Sequence, residues 1–134
     1  MCSDGSEKSI QALNFMTRLI DRSKGDQIFV ICVETDKVNP ALVSKQINKL
    51  FNPYDNVSLG ISKFVTLKLT DPMGNLASTI CNYLSQCMSD DDFVHYVVVG
   101  NTGADFSSHD THKYMGSVAS GIITKTRVNC LFYA

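Results

Sequence analysis

Apolar residues in this chain follow a helical period and then a strand-like run, four times in succession from one end to the other. Regular alternation of this kind implies a parallel sheet with helices on both faces and right-handed crossovers. Between Ser6 and Arg22, Ile10, Leu13, Met16 and Ile20 recur at helical spacing beside Ala12 and Leu19, and Ser6-Glu7 suits a helix start. Ser23-Lys24-Gly25-Asp26 stops that helix. Ile28 to Val33 is an unbroken apolar run rich in β-branched residues, the mark of a strand covered on both faces. Asn39-Pro40 opens a second helix with Val43, Ile47, Leu50 and Phe51 on one face, and Asn52 to Asn56 ends it. Lys63 to Leu69 alternates, with Val65, Leu67 and Leu69 against Thr66 and Lys68, which suits an edge strand. Asp71-Pro72 predicts the next helix start, ahead of a stripe of Leu76, Ala77, Ile80, Cys81, Leu84 and Met88. Tyr96 to Val99 is a third strand, Val118, Ala119, Ile122 and Ile123 mark a last helix, and Cys130 to Tyr133 a last strand.

With 134 residues, 44% of them hydrophobic, the chain is expected to form a single domain over residues 1–134. A formal charge of −1 with scattered Lys and Arg argues against nucleic acid and anionic membrane as partners. Five cysteines, Cys2, Cys32, Cys81, Cys87 and Cys130, include no CxxC pair, and most sit in apolar segments, as buried thiols do in a reducing compartment. No apolar run approaches the roughly 18 residues of a membrane span and no leader pattern opens the chain, so a cytoplasmic protein is expected.

Chemistry concentrates between Val97 and Val118. The strand ends in Gly100-x-x-Gly103, a polar loop follows, and Gly116-Ser117 opens a helix. Glycines let the main chain approach an anion closely, and the first-turn N–H groups of a helix stabilise negative charge. Strand-ending glycines also serve ordinary turns. Asp90-Asp91-Asp92 reads as a solvated turn, and His109-x-x-His112, without a third ligand at useful spacing, as exposed loop, so no metal site is expected. Lys113 reads as a solvated lysine, with a β- or γ-phosphate as the alternative partner.

Asp4-Gly5-Ser6-Glu7 ahead of an amphipathic helix resembles the opening of the universal stress protein family, whose first strand runs into a V-D-G-S-type turn. The strand Ile28–Glu34, the Thr70-Asp71-Pro72 junction, and Val97–Val118 as a G-x2-G-x9-G-[ST] nucleotide loop resemble the family in the same order, so the likeness spans essentially the whole chain. It implies a three-layer α/β/α fold, Rossmann-like and of the adenine nucleotide alpha hydrolase type, with a five-stranded parallel sheet of order 3-2-1-4-5. It also implies ATP or a related adenine nucleotide, with or without Mg, as ligand, and a homodimer formed through the C-terminal strand. Two departures stand out. Twelve residues separate Gly103 from Gly116 where the family pattern has nine, and only three residues precede Asp4, so an abbreviated first strand is expected.

The nucleotide-binding residues that the resemblance implies are Cys2, Ser3, Asp4, Val33, Val99, Gly100, Gly103, Gly116, Ser117 and Val118. Asp4 would meet the nucleoside end and Val33 would line the base pocket, while Gly100 and Gly103 pass under sugar and phosphates. Gly116, Ser117 and Val118 would donate to phosphate oxygens. Helix capping is the alternative role for Asp4 and Ser117. No residue reads as catalytic: no general base or metal-binding carboxylate array accompanies the loop, and slow hydrolysis or autophosphorylation at Ser107, Ser108 or Ser117 is the most it offers. The functional expectation is an ATP-binding stress-response or signalling module. Its alternatives are a nucleotide-free interaction scaffold of the same fold and an adenylating enzyme of the ATP-pyrophosphatase type, whose S-G-G-x-D-S motif Ser3-Asp4-Gly5-Ser6 lacks at the glycine pair.

Overall fold

The computed structural model describes residues 1–51, 61–69, 74–89, 94, 96–100 and 115–133. In chain order the elements are α1 (Glu7–Leu19), β1 (Ile28–Glu34), α2 (Pro40–Phe51), β2 (Ile61–Lys68), α3 (Leu76–Ser89), β3 (Tyr96–Gly100), α4 (Ser117–Lys125) and β4 (Asn129–Tyr133). Ser6 caps α1 by accepting from the N–H of Ser9, and Asn75 caps α3 by accepting from Ala77 N–H at 2.9 Å and Ser78 N–H at 3.3 Å. The start expected at Asp71-Pro72 lies outside the described residues.

Strands β1 and β2 pair in parallel with Val33 opposite Leu67, and β3 and β4 pair in parallel with Val98 opposite Leu131. Between the two pairs lies the N-terminal tripeptide. Cys2 N–H donates to Val98 O at 2.9 Å, Ser3 N–H donates to Ile31 O at 2.9 Å, and Ile31 N–H donates to Met1 O at 2.7 Å. These make isolated parallel bridges from Cys2 to Ile31 and to Val99. The described residues therefore contain four strands in two parallel pairs rather than five full strands. Three residues can close the gap with bridges but are too few for a ladder.

Both faces of the strands are covered, as the unbroken run in β1 requires. On one side Val30, Cys32 and Val98 meet Leu13 of α1 and Val43 and Ile47 of α2; on the other Ile31, Val33, Val97 and Val99 meet Ile80 and Leu84 of α3 and Ile122 of α4. Helix stripes differ at their ends from the spacing-based reading: Leu50 and Met88 are exposed, and Cys87 is buried in place of Met88. In a last turn one position of rotation moves a side chain off the core face.

All five cysteines are free thiols. Burial pushes the Cys2 and Cys32 thiols up to about 11, from an ordinary value of roughly 8.5. A thiol raised this way keeps its proton longer in the folded chain than in the unfolded one. The stability it contributes is complete below the unfolded value and is lost as pH rises toward 11. The urea midpoint is therefore expected to fall between about pH 8 and about pH 10.5, and the Cys2→Ala variant to lose less over that interval. Identical losses in the two proteins would contradict this.

Candidate functional site

Because every strand pairing among the described residues is parallel, the carboxyl ends of β1 and β3 lie at one edge together with the end of the Met1–Ser3 tripeptide. Ligands of open α/β sheets bind along this edge. Asp4 and Gly5 turn the chain there. The Asp4 carboxylate accepts from Ser6 N–H at 3.0 Å, and Gly5 takes a φ of 79°, the left-handed region. A Cβ on Gly5 would stand 3.1 Å from Val43 Cγ2 and 3.2 Å from Gln46 Oε1, so the turn is seated against α2.

Beneath the turn lies a hydroxyl pair that motif reading does not reveal. Ser3 and Ser9 are both buried, their Oγ atoms 3.0 Å apart; Ser9 Oγ donates to Ser6 O at 3.0 Å, and Gly5 N–H donates to Ser3 Oγ at 3.3 Å. The pair ties the tripeptide to the first turn of α1, with its polar atoms satisfied internally. Its only trace in the sequence is the spacing of Ser3, Ser6 and Ser9 around Asp4-Gly5.

Gly100 ends β3 hard against α1. A Cβ there would lie 3.4 Å from Ser9 N, 3.5 Å from Lys8 C and 3.6 Å from Lys8 Cβ. Cys2, Val33 and Val99 have buried side chains within the core shared with α3 and α4, so only their backbones are available to a ligand. Burial also lowers the pKa of the Met1 α-amino group, which donates to Phe29 O at 2.9 Å.

Gly116 is the N-cap of α4 and forms no side-chain cap bond; Ser117, the first helical residue, is exposed, and Val118 is half-buried. Capping is thus not the role of Ser117, and Ser6 rather than Asp4 caps α1. Gly103, Ser107, Ser108, His109, His112 and Lys113 lie outside the described residues, as does Asp90-Asp91-Asp92. Among the described residues no group of three His, Cys, Asp or Glu is arranged to hold a metal ion, and no helix is long and apolar enough to cross a membrane. A shallow groove of about 370 Å³ between α2 and the β1–β2 pair is lined by Glu34, Asn39, Ser44, Phe64 and Thr66, none of them a residue of the expected site.

A solved structure described as a universal stress protein in complex with cAMP superposes on this chain with a TM-score of 0.63, covering 98% of this chain and 91% of that one at 14% identity. The α/β fold of this chain is similar to the fold of that protein. No protein-family model matches the chain, and no curated protein sequence matches it. At this identity the likeness lies in the path of the backbone, and the side chains of the site have to be argued from their own geometry.

Proposed function

We propose that this chain is a nucleotide-binding module of the universal stress protein type, taking ATP or a related adenine nucleotide with or without Mg. In this reading it serves stress response or signalling in the cytoplasm as a homodimer. The observation that carries it is the meeting of Asp4, Gly100 and the backbone of Val33 at one carboxyl edge. It is supported by the cAMP complex of the similar structure. Met1–Ser3 is read as the abbreviated central strand of a five-stranded sheet of order 3-2-1-4-5, since it hydrogen-bonds to β1 on one side and β3 on the other. Asp4 then faces the nucleoside, Val33 and Val99 offer backbone to the base and sugar, and Gly116, Ser117 and Val118 offer first-turn amides to phosphate. Gly103 would complete the loop.

Pairing through β4 is supported by its apolar edge. Among the described residues β4 pairs only with β3, Leu131 is exposed, and Tyr133 packs on the exposed Phe15 with ring centroids 5.7 Å apart. Apolar edge strands template pairing with another chain.

Native mass spectrometry of the purified protein reads both claims. The expected species is a two-chain assembly carrying an adenine nucleotide, and a hundredfold excess of Mg-ATP over Kd should add about 2.7 kcal/mol to stability. Absence of both the adduct and any thermal shift would leave the nucleotide-free scaffold, which the longer Gly103–Gly116 interval favours. A one-chain species would overturn pairing.

A further inference from the structure

We propose that Lys8 binds the phosphate end of the nucleotide and makes the site prefer polyphosphates to nucleosides and monophosphates. The proposal rests on the adenine-nucleotide reading above and concerns a residue outside the glycine loop. Lys8 occupies the first turn of α1, where a positive charge opposes the helix dipole. The Glu7 carboxylate accepts from Gln11 Nε2 at 3.0 Å, the Asp4 carboxylate from Ser6 N–H, and among the described residues Lys8 forms no ion pair. A cation placed against local preference, without an ion-pair partner among the described residues, is a feature expected at functional sites.

Position supplies the second argument. The Cβ of Lys8 lies 3.6 Å from where a Gly100 Cβ would be, so the lysine stem starts beside the residue that opens the glycine segment. Helical side chains lean toward the N-terminus of their helix, which carries this stem toward the carboxyl edge of the strands. Lys8 is half-buried, as expected when a stem is covered and its ammonium reaches outward. Three N–H donors on a compact charge suit phosphate oxygens, and each added phosphate strengthens the attraction.

Isothermal titration of the full chain with adenosine, AMP and ATP, at constant ionic strength, tests this. Lys8→Ala is expected to weaken ATP about tenfold, AMP less, and adenosine not at all. Lys8→Arg should retain most of the ATP affinity, and the unliganded Lys8→Ala protein should melt no lower than the parent, because a charge opposing the dipole is removed. Equal losses for all three ligands, or none, would overturn the role of Lys8 while leaving the nucleotide site standing. A parent protein that binds neither adenosine nor ATP would overturn the nucleotide reading and this proposal with it.

Discussion

Replacing Gly121 with valine is expected to destabilise the protein by about 3 kcal/mol, most of it from the α3–α4 contact. A Cβ at Gly121 would stand 2.6 Å from the Cβ of Ala77, against the roughly 3.5–4.0 Å at which carbon atoms attract. Ala77 is 1% exposed and its Cβ is fixed to the α3 backbone, so the clash is relieved only by moving a helix. Those helices carry Ile80, Leu84 and Ile122 against the strands, and parting them opens the core cluster that contains Val33 and Val99. Glycine inside a helix costs about 1 kcal/mol relative to alanine, so Gly121→Ala sets a propensity gain against a steric loss. Combining it with Ala77→Gly removes the clash, and the double variant should be more stable than the sum of the single changes by at least about 0.5 kcal/mol. Urea unfolding compares the four variants with the parent. Additive effects, or a Gly121→Val protein as stable as the parent, would show that the helices part easily.

A second large effect is expected at Gly5, where stability and binding should be lost together. Gly5→Val places a branched side chain at a φ of 79° and into Val43 and Gln46 of α2. Left-handed backbone costs a non-glycine residue about 1–2 kcal/mol and overpacking about 1–3 kcal/mol, giving a combined loss of about 2–4 kcal/mol. If the turn escapes by changing conformation, Asp4 loses its bond to Ser6 N–H and with it the position that the proposed nucleoside contact requires. Adenosine affinity should then fall with stability. Repeating Gly5→Val in a Val43→Ala background separates the causes, because added space lowers the packing cost and leaves the backbone cost unchanged. A Gly5→Val protein with parental stability would show that the turn requires neither glycine's freedom nor its size.

Much of the fold was legible because its signals are local. The strand at Ile28–Glu34 contains the unbroken apolar run Ile28 to Val33, and its structure shows Val30 and Cys32 facing one helix pair while Ile31 and Val33 face the other. The alternation in β2 marked an edge strand, and among the described residues β2 pairs only with β1. Element ends were less legible. Asn75 caps α3, while Leu50 and Met88, on stripes read as core, face solvent. Of the candidate site, Asp4 and Gly100 could be proposed from motifs, whereas the Ser3–Ser9 pair and the approach of Lys8 to Gly100 could not.

The division follows from the range of each interaction. Helical and strand periods, glycine and proline signals, and alternation of elements are properties of neighbouring residues, and the sequence alone determined from them a parallel α/β chain with an anion-suited segment after its third strand. Which elements become neighbours depends on strand order, a long-range choice that decides how the whole apolar surface is buried. Only the tertiary structure seats Met1–Ser3 between β1 and β3, sets Gly121 on Ala77, and brings Lys8 beside Gly100. Those contacts join residues far apart along the chain, and no local period records them.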